Sequence, residues 1–147
     1  MAGKRSARAA KPVQVGPERI NPDLDPLVRP ISDLRHDPAN ARRRTARNLA
    51  AIMFSLERFG QQKPVVATRD GVVVAGNGVL QAANSLEWRR LAVVCMETVD
   101  PAEARAFALA DNRSGELSEW DFKQLGETLS ELDGFPLADL GWDAGEL

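Results

Sequence analysis

From about Thr45 to Phe59 the apolar residues Leu49, Ile52, Met53, Leu56 and Phe59 recur at steps of three and four. That spacing lays them on one stripe of a helix, and Gly60 follows as the residue that ends it. The pattern then changes. Pro64-Val65-Val66-Ala67-Thr68 and Val72-Val73-Val74-Ala75 are short apolar runs joined by Arg69-Asp70-Gly71, whose Asp-Gly step signals a hairpin. Gly76-Asn77-Gly78 breaks the second run and opens another helix, with Val79, Ala82, Ala83 and Leu86 on its buried side. A further strand is predicted over about Leu91 to Glu97. Upstream, Leu27-Val28-Arg29-Pro30-Ile31 reads as an edge strand, because Pro30 has no N–H to give to a ladder. Ser32-Asp33-Leu34 reads as a turn, and His36 to Arg44 as a polar loop.

The C-terminal third is helical in pattern. Asp100-Pro101-Ala102-Glu103 combines a capping acid, a first-turn proline and an acid three residues on, a start signal for a helix expected to reach about Asn112. Ser118-Glu119-Trp120-Asp121 starts the next, with Phe122, Leu125, Leu129 and Leu132 on one face and Gly134 closing it. The tail from Phe135 to Leu147 is expected to pack through Phe135, Leu140 and Trp142. The order strand, helix, strand, strand, helix, strand, helices describes an α+β domain, a small mixed sheet covered by helices with a helical C-terminal part. The expected organisation is a disordered basic arm over residues 1–26, a core over 27–113 and an acidic helical extension over 114–147.

Composition narrows the chemistry. The chain has 147 residues, enough for one domain with a sizeable core. One cysteine and one histidine exclude a Cys/His zinc cluster within the chain. Cys95 lies in the apolar run Leu91 to Met96 and is expected to be a buried core thiol. No apolar stretch approaches the roughly 20 residues of a membrane span, and the basic N-terminus lacks a secretory apolar region, so a cytoplasmic location is expected. The net charge of −2 hides a gradient. Residues 1–47 carry eleven Lys/Arg against five Asp/Glu, whereas residues 111–147 carry two against ten. Such polarity suits either a polyanion partner or internal pairing of the two ends.

Three places could carry chemistry. Gly76-Asn77-Gly78, between a strand and a helix, can present free backbone N–H groups to phosphate. Arg42, Arg43, Arg44 and Arg47 crowd a helix start, where cations are slightly unfavourable, and so point to phosphate contacts with DNA or nucleotide. Asp111 and Asn112 offer oxygen to a hard cation. Trp120 and Trp142 read as core or interface plugs, and His36 as a loop residue without a chemical role.

Four segments together carry a resemblance. Phe59-Gly60-Gln61-Gln62-Lys63-Pro64-Val65-Val66, then Ala75-Gly76-Asn77-Gly78-Val79-Leu80-Gln81-Ala82-Ala83, with Asp37-Pro38-Ala39-Asn40-Ala41-Arg42 upstream and Ala108-Leu109-Ala110-Asp111-Asn112-Arg113 downstream, resemble the ParB/sulfiredoxin-like superfamily in order and spacing. The closing Leu117-Ser118-Glu119-Trp120-Asp121 and Leu140-Gly141-Trp142-Asp143 are similar to phage and mobile-element members, some of which precede a DNA methyltransferase. The resemblance implies a ParB N-terminal-like, DNA-associated regulatory module that binds CTP, or ATP or ADP, with Mg²⁺. It implies nucleotide contacts from Gly60, Gln61, Gln62, Lys63, Pro64, Gly76, Asn77, Gly78 and Arg42, and a cation at Asp111 and Asn112. DNA contact would fall to Arg42, Arg43, Arg44 and Arg47. DNA, a nucleotide, a second copy or a DNA methyltransferase are the implied partners, in a bacterial cell or a phage-infected host. A phosphotransferase, NTPase or nuclease, and a non-catalytic adaptor, stay open beside it. The chain departs from the partition-protein loop, because Gly78, Val79 and Gln81 stand where that loop has arginines. Sulfiredoxin chemistry is excluded, since Cys95 does not lie in this loop.

Overall fold

The computed structural model describes residues 17–147. Five strands form one mixed sheet: β1 (Val28–Pro30), β2 (Arg35–His36), β3 (Val65–Ala67), β4 (Val72–Ala75) and β5 (Arg90–Cys95). Their order is β1-β5-β3-β4-β2, so β1 lies at an edge, as Pro30 requires. β1 runs antiparallel to β5 and β3 antiparallel to β4, while β3–β5 and β2–β4 are parallel. His36 is part of β2, opposite Val73.

Helix α1 (Ala46–Phe59) starts where Thr45 accepts a hydrogen bond from the Asn48 N–H at 3.0 Å. It ends at Gly60, whose φ of +75° only glycine adopts without strain. Helix α2 (Asn77–Ser85) packs on α1 and on the sheet. Leu80, Ala82 and Ala83 join Val65, Ala67, Val73, Leu91 and Trp88 in the core, with Leu49, Ile52 and Met53 packed against it. Val73 and Val74 are both buried, because helices cover one face of β4 and α3 (Pro101–Leu117) lies against the strand as well. That double cover explains the unbroken apolar run read as a strand. Helix α4 (Phe122–Ser130) follows, capped by Asp121, and Leu125 is its buried residue.

Four expectations are corrected. Residues 17–26 are not a loose arm. Ile20 is 5% exposed, the Gln61 N–H donates to the Arg19 carbonyl at 2.7 Å, and the Asn21 N–H donates to the Gln61 carbonyl at 3.0 Å. A 3₁₀ turn then spans Pro22–Leu27; the remainder of the arm, 1–16, lies outside the described residues. Cys95 is exposed: it is the last residue of β5, beyond the fully buried Leu91 and Ala92. Helix α3 does not end near Asn112 but continues to Leu117. Trp120 is 62% exposed and packs edge-on against Trp142, with ring centroids 5.0 Å apart, so of the expected core or interface plug the core half is corrected.

Gln61 is 2% exposed, yet its side-chain polar atoms are all paired. Its Nε2 donates to the carbonyls of Ala92 (2.9 Å) and Lys63 (3.1 Å), and its Oε1 accepts from the Ala92 N–H at 2.8 Å. The side chain is a staple between the α1–β3 corner and β5. Replacing it by the similar-sized Leu strands a buried N–H and a carbonyl on Ala92. The Gln61→Leu variant is therefore expected to lose about 1–3 kcal/mol of stability in urea unfolding; unchanged stability would contradict the staple.

Candidate anion and ligand site

β4 ends at Ala75 and the chain reverses through Gly76, at φ +99°. A Cβ there would lie 2.6 Å from the Val65 Cγ1, so close approach to β3 also demands glycine. Helix α2 begins at once, and no side chain caps its first turn. Its leading N–H groups are left to find other acceptors, at the positive end of the helix dipole.

Asn77 does not face outward. It is 5% exposed; its Nδ2 donates to the Val73 carbonyl at 2.8 Å and its Oδ1 accepts from the Asp37 N–H at 3.2 Å. It ties the entry loop, residues 37–44, to the end of β4. Gly78 has a different neighbour. A Cβ on it would meet the Arg44 Cζ at 2.7 Å and the Ile52 Cδ1 at 2.8 Å, so the Arg44 guanidinium lies directly on Gly78.

Arg44 is poorly paired for such a place. One Nη donates to Asn48 Oδ1 at 3.3 Å, while its buried Nε has no partner among the described residues. Burial first, then the charge of Arg42, pull the group below its ordinary pKa, though a guanidinium stays protonated. A cation held against the positive end of a helix is the electrostatic opposite of a cap. It makes sense when an anion joins them. The loop lacks its own arginines, and the residue before α1's cap supplies one.

On the other side of Asp37 lies a trough of two adjoining cavities, about 300 and 80 Å³. They share Asp37, Ala39, Val74 and Arg105. Val72 and Val74 line it from β4, Thr68, Arg69 and Asp70 from the hairpin, and Asp100, Pro101, Ala104 and Arg105 from the start of α3. Asn40, Ala108 and Asn112 line its narrow end. The Asp100 and Asp37 carboxylates are engaged by the N–H groups of Ala102 (3.0 Å) and Ala39 (2.8 Å). Arg69 and Arg105 have no hydrogen bond or ion pair among the described residues. An apolar floor with free guanidinium groups at its edge suits a flat, anionic small molecule.

The expected site residues divide accordingly. Gly60 to Pro64 line neither cavity. Gly60 lies under the Arg19 carbonyl, Gln61 is committed as described, and Gln62 donates to the Phe59 carbonyl at 2.6 Å and accepts from Asn21 at 2.9 Å. Lys63 is exposed and Pro64 half-buried. Arg42 and Asn112 do meet, Nε to Oδ1 at 3.1 Å, and Glu116 approaches Arg42 at 3.3 Å. Arg43 is exposed and has no partner among the described residues; Arg47 is bound by Glu146.

The Mg²⁺ that the resemblance implies does not fit the residues present. Because α3 continues past Asn112, Asp111 and Asn112 are consecutive positions within a helix and point about 100° apart. Asn112 turns to Arg42 and donates to the Ala108 carbonyl at 3.0 Å, whereas Asp111 is exposed and lines neither cavity. No group of three or more His, Cys, Asp or Glu able to hold a metal occurs among the described residues. Nor is any helix among them long and apolar enough to cross a membrane.

The sequence reading missed Arg69 and Arg105. Arg105 was findable: Pro101, Arg105, Ala108 and Asn112 follow the helical spacing of one face. Arg69 gave no signal beyond its place in a hairpin turn.

No family model matches the chain. The ParB-like nuclease domain-containing protein YnaK of Escherichia coli (strain K12) is 29% identical over 70 residues, 48% of this chain and 80% of that protein. Among solved structures, the C-terminally truncated chromosome-partitioning protein ParB from Caulobacter crescentus, complexed with CTP-gamma-S, is similar with a TM-score of 0.61. It is 17% identical, over 79% of this chain and 71% of that one. A Pnob8-like ParB-N domain aligns over 55% of this chain and 32% of that one, with 21% identity and a TM-score of 0.45.

Asn77→Ala would leave the Asp37 N–H and the buried Val73 carbonyl unpaired. Thermal unfolding is expected to report a loss of about 1–3 kcal/mol, and amide exchange at Asp37 to accelerate. Unaltered exchange there would rule out the tie.

Proposed function

For a chain that resembles the ParB N-terminal-like superfamily in sequence and shares its fold, we propose a ParB-like regulatory module that binds a nucleotide, CTP or an adenine nucleotide, and associates with DNA. The observation that carries the reading is Arg44: a guanidinium with an unpaired buried Nε, lying on Gly78 at the uncapped start of α2. A phosphate group there would accept from Arg44 and from α2's leading amides at the same time, and a charge-assisted pair of this kind contributes roughly 1.5–3 kcal/mol. The base and sugar would lie along the trough against Val72 and Val74, with Arg69 and Arg105 at the edge. Asp37, which lines the trough and is tied to Asn77, joins the two halves. The proposal needs no cation held by Asp111 and Asn112. Its likeness in fold to a protein solved with CTP-gamma-S makes CTP the first nucleotide to try. DNA association rests on the basic run at the start of α1, where Arg43 is exposed and unpaired among the described residues.

Two variants separate the parts. Calorimetric titration of CTP, ATP and ADP into the full chain is expected to give saturable binding of one of them. Arg44→Ala is expected to weaken it about tenfold to a hundredfold. Arg105→Ala is expected to weaken it less and to shift the preference among bases. No heat and no thermal stabilisation with any nucleotide at millimolar concentration would end the proposal. Binding indifferent to Arg44→Ala would move the site elsewhere.

A further inference from the structure

The acidic C-terminus returns to the basic start of α1. Phe135 stacks on Phe59, with ring centroids 6.0 Å apart, and the Arg58 guanidinium lies 4.7 Å from the Phe135 ring centre. Gly141 follows, close enough to Ala51 that a Cβ on it would sit 3.4 Å from the Ala51 Cβ. The far end is held by Arg47. One of its Nη atoms donates to the Gly141 carbonyl at 2.8 Å and to Glu146 Oε2 at 2.6 Å, and the other to Glu146 Oε1 at 3.2 Å. Residues 135–146 thus form a strap along α1, running from its last turn back to its first.

Glu146 is set for this by its own neighbours. Its Oε2 also accepts from the Asp143 N–H at 2.7 Å, and the Asp143 carboxylate accepts from the Gly145 N–H at 2.9 Å, closing a capping box. The result is a carboxylate presented in a plane to a guanidinium fork, which is how a phosphodiester oxygen pair meets arginine. Farther along the same basic run, Glu116 approaches Arg42 at 3.3 Å. The side chains of Arg47 and Glu146 are 52% and 46% exposed, so the pair is well screened and a competing anion can reach it.

We infer that the C-terminal strap is an internal competitor for nucleic acid: Glu146 takes at Arg47 the place of a backbone phosphate, so that binding DNA and releasing the strap are one linked equilibrium. The inference rests on the reading of the basic run as a phosphate-contacting surface. It gives the charge gradient a use, since the acidic end lowers affinity for DNA until enough phosphates compete.

The test uses the full chain and a fluorescent duplex of random sequence, with binding followed by anisotropy across a salt series. Glu146→Gln removes the charge and keeps the shape, and it is expected to bind about threefold to fivefold more tightly than wild type at low salt. Its plot of log K against log salt is expected to steepen by far less than the ~0.9 of a whole phosphate, because Arg47 neutralises a phosphate in both complexes. Arg47→Ala is expected to bind more weakly and to erase the gain from Glu146→Gln when the two are combined. Adding duplex to the wild type is expected to change the emission of the Trp120–Trp142 pair, as the strap lifts. If wild type binds and Glu146→Gln binds no better, the competitor is refuted while the phosphate surface stands. If neither binds at low salt, both are refuted.

Discussion

A guanidinium and the amino end of a helix repel each other, and here they touch. The Arg44 side chain lies on Gly78, at the point where α2 presents its uncapped N–H groups. Cations at that end of a helix cost about 0.3–1 kcal/mol, and a buried nitrogen without an acceptor adds to the cost. α1 and α2 lie against each other, and the tips of Arg44 and Ile52 fill the space beside Gly78 that a Cβ would take. The strain is electrostatic, and one anion would relieve it.

The chain around this point is tied by close packing and hydrogen bonds. Gly76 turns the chain where β3 leaves no room for a side chain, Asn77 ties the entry loop to β4, and Gln61 fastens the corner beyond α1 to β5. Three residues that a motif reader assigns to a ligand thus divide their work. Gly76 shapes the site, while Asn77 and Gln61 support it. The groups proposed to meet a guest are Arg44, α2's first amides, and the two trough arginines, which are unpaired among the described residues.

Much of the scaffold was legible in the sequence because its causes are local. The stripe on α1, the Asp70-Gly71 hairpin, the Asp100 cap and the apolar strands each follow from neighbours within a few positions. What was not legible depends on distant partners. Gln61 meets Ala92 across 31 positions and Asn77 meets Asp37 across 40, and an amide in sequence gives no sign of whether its bonds are spent inside the fold. The same holds for Arg44, whose neighbour Gly78 belongs to another helix. Asp111 and Asn112 misled for a geometrical reason: as a loop pair they could share a cation, but within a helix they diverge. Cys95 misled because an apolar run does not say how far along a strand the core extends.

The central claim is that Arg44 and the start of α2 share one anionic guest, and nitrogen-resolved NMR reads both partners at once. In a titration with CTP, or whichever nucleotide binds, the amide signals of Asn77 and Gly78 and the Arg44 Nε–H signal should move together along one saturation curve, with the Nε–H gaining protection from exchange. A nucleotide that binds while those three signals stay fixed would contradict the account.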